Sequence, residues 1–249
     1  MPVERLRWQD NQLQRLRVGY DVAEEQFRED YLPLSDAERG ESWVARLVQL
    51  LADHRLSDGY CFEYNTYLHG WLAALSDILS RGAVLLVDYG YPRPEYFLPE
   101  REQGTLMCYY RHHAHTDPYF LPGGQDITAH VDFTAVAEAA DAAGFVINGY
   151  TSQSAFLQAN GLLELADEKR LPLQAGSDSV AGSASSESDK PANSEAIDAV
   201  ALQTFRLSQE VQALCLPGSM GERFQVMGLT KGLNGVMRGF TGVELSHRL

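Results

Sequence analysis

Residues 82–91, GAVLLVDYGY, decide the fold. Within them an unbroken apolar run, 83–87, ends abruptly at Asp88, Tyr89 and Gly90. A continuous run of Val and Leu is typical of a strand that is buried on both faces of a mostly parallel sheet. Gly90 allows the backbone to turn at the carboxyl end of this strand, where open α/β sheets place their ligands. The alternative is a core strand whose exit is polar by chance.

Helical and extended patterns alternate around this run. Residues 66–80 carry Leu and Trp side chains at helical spacing, and Gly82 marks the end of that helix. Further along the chain, Asp132 is placed to cap a helix that ends at Gly144, and residues 145–150 have the pattern of a strand. Two successive units of helix followed by strand predict an α/β fold.

Other elements are predicted before this α/β part. The opening stretch, 2–20, alternates like the strands of a hairpin, with Gly19 as its break. Ser42 is placed to cap an amphipathic helix that runs to about Asp53. Residues 60–64 predict a short strand.

The last third of the chain contains a change of composition. Residues 174–193 consist mainly of Ala, Gly, Ser, Asp and Glu, which bury too little apolar surface to offset the entropy lost on ordering. We therefore predict a flexible loop there. A helix that begins at Ser152 or Ser154 precedes this loop, a helix capped by Ser194 follows it, and residues 222–229 alternate like a final strand.

Composition restricts the class of function. The 249 residues are 45% hydrophobic and 22% charged, as in an ordinary globular protein. A formal charge of -14 argues against a nucleic-acid partner, which would need a basic surface. No apolar stretch reaches the length of about 18 residues that spans a bilayer, and the amino terminus lacks the apolar core of a signal peptide. Three cysteines without CxxC spacing fit a reducing compartment, so we expect a cytoplasmic protein without membrane partners.

Polar side chains concentrate in the segment 112–132. If residues 111–115 are extended, His113 and His115 point to the same side. Together with Asp117 they imitate a metal site of two histidines and one carboxylate. Such clusters more often bind substrate or form hydrogen bonds, so we predict no metal.

The segment 123–130, GGQDITAH, lies in the same region. Two glycines before Asp126, Thr128 and His130 can form a sharp loop with inward-turned polar groups, although a turn and helix cap would use the same residue types. The sequence contains no GxSxG elbow, P-loop, HExxH or complete GxGxxG. Hydrolase, nucleoside triphosphatase, zinc protease and dinucleotide-binding functions therefore have no support from motifs.

Glu63 lies near the end of the predicted strand 60–64. If this strand is beside residues 82–91, the carboxylate lies at the ligand-binding edge of the sheet, where it could bind ribose hydroxyls or a cationic substrate. A solvated strand end is the alternative, and residue type alone favours it.

Several stretches together resemble one family, the MidA-like S-adenosylmethionine-dependent methyltransferases. The matching stretches occur in the family's order: PVERLRW (2–8), LLVDYGYPRPEYF (85–97), GTLMCYYRHHAHTDPYFLPGGQDITAHVDF (104–133), TSQSAFLQANGL (151–162) and LPGSMGERFQVMGL (216–229). The resemblance implies a class I (Rossmann-like) methyltransferase sheet of seven strands, and S-adenosyl-L-methionine as cofactor. It also implies methyl transfer to a protein, since eukaryotic members are mitochondrial proteins linked to respiratory complex I assembly through arginine methylation.

The chain also departs from the family pattern. In the family, a glycine-rich loop that binds the methionine end of the cofactor precedes the stretch matching 2–8, and it does not occur here. On this interpretation residues 1–249 form a single, N-terminally incomplete domain, roughly the carboxyl-terminal two-thirds of a family member, and this chain alone is expected to be incomplete for cofactor binding. Residues 82–91, 145–150 and 222–229 would be strands five, six and seven of the family sheet. The inner edge of such a sheet would be unpaired, which predicts either aggregation or a homo-oligomer.

The resemblance and the polar residues together define a predicted site. A guanidinium acceptor needs carboxylates that hold and orient the cation. The residues predicted to be catalytic are Asp88, Asp126 and His130. The residues predicted to bind substrate are Glu63, Tyr89, Gly90, His113 and Thr128. A different class of function stays open beside the enzyme, namely a non-catalytic fragment or protein-interaction domain that does not bind the cofactor.

Overall fold

The structure, a computed structural model, describes residues 2–54, 56–170, 190–216 and 220–249. The chain has a mixed α/β fold, as predicted, and divides into two compact units. The first unit comprises the chain up to Gly82, Asp88–Val146 and Arg248–Leu249; the second comprises Ala83–Val87 and Ile147–His247. The single domain over 1–249 stays a prediction. None of the described helices is long and apolar enough to cross a membrane.

The elements follow one another in mixed order along the chain. The strands are β1 (Glu4–Gln9), β2 (Gln12–Asp21), β3 (Gln26–Pro33), β4 (Tyr60–Tyr64), β5 (Gly82–Tyr91), β6 (Met107–Tyr110), β7 (His113–His115), β8 (Asp126–Thr128), β9 (Val131–Asp132), β10 (Val146–Ser152) and β11 (Phe224–Lys231). The helices are α1 (Asp36–Arg39), α2 (Ser42–His54), α3 (Leu68–Ile78), α4 (Arg93–Tyr96), α5 (Phe133–Ala142), α6 (Gln153–Ala159), α7 (162–170), α8 (Lys190–Cys215) and α9 (Met220–Arg223).

The first unit begins with an antiparallel sheet in the order β3–β2–β1–β4. The turn between β1 and β2 is formed by Asp10 and Asn11, whose φ angles are 50° and 57°. A two-residue hairpin turn with two positive φ angles matches the twist of the flanking strands, and Asn and Asp tolerate this conformation. The predicted break at Gly19 is therefore wrong, because Gly19 lies inside β2.

One core cluster connects this sheet to α2, which lies where the sequence predicted a helix, except that Ser42 is its first residue and not its cap. Leu6 of β1 and Phe62 of β4 lie opposite each other and are 0% and 2% exposed. On α2, Trp43, Leu47 and Leu51 are buried at helical spacing against these strands. This packing fixes the position of β4, which carries Glu63.

β5 is present where the sequence predicted it, but its burial differs from the prediction. Leu85 and Val87 are each 46% exposed and burial alternates along the strand, so one face packs and the expectation of a strand buried on both faces is wrong. At its carboxyl end Gly90 is buried and pairs in parallel with Val131 of β9. A Cβ atom on Gly90 would lie within 3.0 Å of the Val131 carbonyl oxygen and the Phe133 ring. Gly90 therefore permits a close approach of backbone to backbone.

In the second unit β11 lies between β10 and β5. Tyr150 of β10 and Met227 of β11 are fully buried there. Ser152 is the N-cap of α6, as one of the two predicted alternatives had it, and its hydroxyl accepts a hydrogen bond from the Ala155 N–H. The helix ends before Gly161, whose φ of 93° separates α6 from α7, so two short helices replace the one that was predicted.

The carboxyl-terminal predictions are confirmed in part. Residues 174–189 of the predicted loop lie outside the described residues, whereas 190–193 belong to α8. Because α8 begins at Lys190, the predicted cap at Ser194 is wrong. The last predicted strand exists but begins at Phe224, since the residues before it form α9.

Candidate functional site

The candidate site is a cavity of about 410 Å³ in the first unit. Its walls are formed by α2, the end of β4, the start of α3, α4, and the segment that leads through β9 into α5. Three carboxylates line it, those of Glu63, Asp132 and Glu138. Its size is in the range of small-molecule sites, which place a few polar groups on mainly apolar walls.

Glu63 is the most deeply buried of these carboxylates, at 3% exposure. The backbone N–H and the hydroxyl of Thr105 both donate to its Oε2, at 2.8 and 2.9 Å. Its Oε1 is buried and accepts no hydrogen bond from any residue that the structure describes. The nearest cation is Arg5, whose Nε is 3.6 Å from Oε1. A solvated strand end is therefore excluded. The predicted position of this strand beside β5 is wrong as well, because β4 pairs with β1 in a different sheet. Apart from the Arg5 ion pair, Oε1 has no donor among the described residues.

Arg93, Asp132 and Glu138 form an ion-paired cluster on another wall. The two terminal nitrogens of Arg93 each donate to one oxygen of Glu138 at 2.6 Å, and Nε donates to Asp132 Oδ2 at 3.1 Å. Burial opposes the charge of Arg93, but these bonds outweigh it and raise its pKa. Burial raises the pKa of Asp132, which Arg93 and the Ala135 N–H oppose. Asp132 also caps α5 through that N–H at 3.0 Å, as predicted.

His130 lines the same cavity. Its backbone N–H donates to Thr105 Oγ1 at 3.0 Å, and its ring meets that of Tyr91 edge-on, with ring centres 5.0 Å apart. Burial lowers the pKa of His130, and the charge of Arg101 lowers it further. Its Nδ1 is buried and has no hydrogen-bond partner within the described part of the chain. The site thus contains a neutral imidazole at pH 7.

The predicted residues at the end of β5 lie close to His130 but do not line the cavity. The Tyr89 ring is 6.4 Å from that of His130, measured between centres. The Asp88 carboxylate accepts a hydrogen bond from the Tyr89 N–H at 2.8 Å, and its charge acts to raise the pKa of His130. Gly90 contributes the backbone approach to β9 described above.

The remaining predicted residues lie in a separate antiparallel sheet of the first unit, with the order β7–β6–β8. Asp126 and His113 are exposed on its strands. The Thr128 hydroxyl donates to the Met107 carbonyl at 3.2 Å. None of the three lines the 410 Å³ cavity, so their predicted roles receive no geometric support there.

The predicted arrangement of the histidine cluster is wrong in one respect. Arg111 and His112 have φ angles of 46° and 67° and form a turn, so the backbone becomes extended only at His113. The N–H of Asp117 donates to His115 Nδ1 at 3.3 Å. In residues 2–54, 56–170, 190–216 and 220–249, no three His, Cys, Asp or Glu side chains are arranged to hold a metal ion.

Sequence reasoning missed four residues that form or support the site: Arg93, Thr105, Asp132 and Glu138. Arg93 follows a proline directly after β5, and Glu138 lies in the middle of α5, so neither stands in a pattern that indicates a ligand. The sequence predicted Asp132 only as an N-cap, because a polar residue before an apolar helix indicates a cap. Its ion pair with Arg93 joins residues that are distant in sequence and follows no local pattern.

Comparisons with known proteins give a family and a fold. Residues 1–151 match the family described as "Putative S-adenosyl-L-methionine-dependent methyltransferase". All of the chain aligns with 55% of a crystal structure from Burkholderia thailandensis, described as a "likely methyl transferase" bound to S-adenosyl-homocysteine, with 32% identity and a TM-score of 0.78. It also aligns with 57% of a native crystal structure of an uncharacterized protein of the same superfamily and organism, with 33% identity and a TM-score of 0.78. No curated protein matches the sequence. The chain spans little more than half the length of these solved structures.

Proposed function

We propose that this chain, which belongs to a family of S-adenosyl-L-methionine-dependent methyltransferases, methylates an arginine side chain of a protein, as the MidA-like stretches of its sequence suggest. The observation that carries this proposal is the buried Glu63 carboxylate, which lines the cavity and keeps Oε1 without a donor from the described residues. A buried acceptor of this kind costs free energy until a donor reaches it. A ligand with N–H or O–H groups supplies that donor.

The residues of the cavity fit part of the expected cofactor. When bound, S-adenosyl-L-methionine supplies an electrophilic methyl group on a sulfonium. Its ribose hydroxyls can donate hydrogen bonds to Glu63 Oε1. The negative charge of the buried carboxylate also stabilises the positive charge of the sulfonium. The sequence contains no complete GxGxxG, so we assign no loop of this chain to the methionine end of the cofactor.

The guanidinium acceptor is proposed from the MidA-like stretches of the sequence, since Asp132 and Glu138 of the cavity are occupied by Arg93 in the chain itself. The Glu138 carboxylate binds the Arg93 guanidinium through two parallel bonds of 2.6 Å, and the pKa of Arg93 is raised. This pair shows that a carboxylate of the cavity binds a guanidinium. A nitrogen that gains a methyl group must lose a proton. His130 is the group that takes it in this proposal, since its imidazole is neutral and lines the cavity. The remaining contribution of the protein is to orient the acceptor nitrogen.

Two measurements test this function. Calorimetry with S-adenosyl-L-methionine measures cofactor binding by the chain, and transfer of a labelled methyl group is followed to an arginine peptide and to the same peptide with lysine. We expect binding, and methylarginine in the hydrolysed arginine peptide alone. Because a hydrogen bond to a charged group contributes about 1.5–3 kcal/mol, Glu63→Gln should lower transfer about tenfold or more.

The control is Glu100→Gln, which removes an exposed carboxylate and should leave transfer unchanged. Failure to bind the cofactor would overturn the proposal for this chain. Label on the lysine peptide would overturn the assignment of arginine as acceptor. Equal transfer by Glu63→Gln and the unchanged protein would overturn the role of Glu63.

A further inference from the structure

The structure assigns to Thr105 a positioning role for two groups of the cavity at once, an inference that rests on the proposed function. Its hydroxyl donates to Glu63 Oε2 at 2.9 Å and accepts from the His130 N–H at 3.0 Å, while its own N–H donates to the same carboxylate oxygen at 2.8 Å. A hydroxyl can donate one hydrogen bond and accept two, so one side chain serves both groups. The Glu63 carboxylate and the His130 backbone are therefore both hydrogen-bonded to the hydroxyl of Thr105.

The carboxylate is oriented by this arrangement. Two donors on Oε2 fix the rotation of the group, so that the other oxygen, Oε1, is the one left to a ligand. Gly104 makes the approach sterically possible, because a Cβ atom there would lie within 3.0 Å of Glu63 Oε1. The φ of Gly104 is +81°, in the left-handed region that favours glycine. Gly104 thus leaves space for the carboxylate, and Thr105 holds it by two hydrogen bonds.

The imidazole is positioned through its backbone. The bond from the His130 N–H anchors the segment that continues through β9 into α5, and the ring then packs against Tyr91. Among the described residues, the charge of Arg101 lowers the pKa of the ring and that of Asp88 acts to raise it. The titratable side chains of Tyr91 and Tyr89 also face the ring, at 5.0 and 6.4 Å between ring centres. Neither Arg101 nor Asp88 takes part in the hydrogen bond between Thr105 and His130. Loss of the Thr105 hydroxyl therefore releases the backbone of His130 and leaves both charges in place.

A pair of variants separates the hydroxyl from the volume of the side chain. Thr105→Val removes the hydroxyl at nearly constant size, and Thr105→Ser keeps it. We expect Thr105→Val to lower kcat about tenfold or more and to change the KM for the peptide much less, because one bond to a charged group and one to a backbone N–H are lost. Thr105→Ser should retain at least about a third of kcat, since both bonds can form.

A second readout does not depend on catalysis. The titration of the His130 ring is followed by NMR in the chain without cofactor, with its signal assigned from the spectrum of His130→Gln. In Thr105→Val the segment that carries His130 loses its anchor, so water gains access to the ring and the burial that lowers its pKa decreases. We therefore expect the midpoint to rise toward the ordinary histidine value in Thr105→Val and to stay unchanged in Thr105→Ser. Thr241→Val, which removes a hydroxyl bonded to the Arg238 carbonyl, should change neither readout.

The two readouts keep this inference distinct from the proposed function. If methyl transfer to arginine is absent but the His130 midpoint moves in Thr105→Val alone, the function fails and the positioning role stands. An unchanged midpoint in Thr105→Val, or an equal loss in the Val and Ser variants, would overturn the role of the hydroxyl.

Discussion

Replacement of Arg93 by Met tests the ion-paired cluster of the first unit. The change leaves the Asp132 carboxylate without its cation, while Arg93 and Asp132 side chains are 12% and 16% exposed. Removal of one partner from a buried pair costs about 3–5 kcal/mol. Glu138 is 55% exposed, so its bonds add less than about 1 kcal/mol. Because the buried pair keeps some contact with water, we expect a loss near the low end, about 3 kcal/mol of unfolding free energy.

The loss should depend on pH in a defined direction. Burial raises the pKa of Asp132 and Arg93 opposes that rise, so the pKa rises further in Arg93→Met. A carboxyl group whose pKa is higher in the folded than in the unfolded state stabilises the fold at low pH, and this contribution is lost as the pH rises through the folded pKa. The deficit of Arg93→Met should therefore be smaller at about pH 4 than at about pH 8.

Urea unfolding of the variants at both pH values measures the effect. Asp132→Asn is the matched control, because asparagine caps a helix as well as aspartate while carrying no charge. The double variant should be more stable than the sum of the single changes implies, by about 1 kcal/mol or more. Equal losses of Arg93→Met at both pH values, together with additive effects in the double variant, would refute the reasoning.

Three further substitutions test packing by unfolding measurements. Gly104→Ala should cost about 1–3 kcal/mol more than Gly123→Ala, since both have φ near +81° but an open space surrounds Gly123; equal costs would contradict the contact with the carboxylate. Leu47→Ala, at 0% exposure, should lose about 2–5 kcal/mol, against less than about 0.5 for Val48→Ala, at 43% exposure. Leu85→Ala should lose about 1 kcal/mol, and a loss as large as that of Leu47→Ala would show that its strand face is covered.

Local pattern predicted the elements of the fold where one face is strongly apolar. The helix that became α2 was found because its apolar side chains follow the helical period, and the strand Tyr60–Tyr64 was found as a short, mainly apolar run. Pattern could not predict the burial of β5, because an apolar run is the same whether one or both faces pack, and Leu85 and Val87 prove exposed. The hairpin at Asp10 was missed for another reason: glycine drew attention to Gly19, although aspartate and asparagine also adopt positive φ.

The site was predicted less completely because its contacts are distant in sequence. Thr105 and Glu63 are 42 residues apart, and Arg93 is 45 residues from Glu138. No local spacing indicates such pairs. In contrast, local clustering drew attention to His113 and Asp126, which are exposed on another sheet and do not line the cavity.

The close approach at Gly90 has a consequence for how related sequences are interpreted. Any side chain at this position would meet the carbonyl of Val131, so glycine there is a condition for β5 and β9 to pair. A strand that ends in Asp-Tyr-Gly is thus a marker of architecture, and a relative that had lost catalysis would keep it. A glutamate followed about 40 residues later by a glycine–threonine pair, as in Glu63 and Thr105, is a better indicator that a related sequence keeps the polar groups of the cavity.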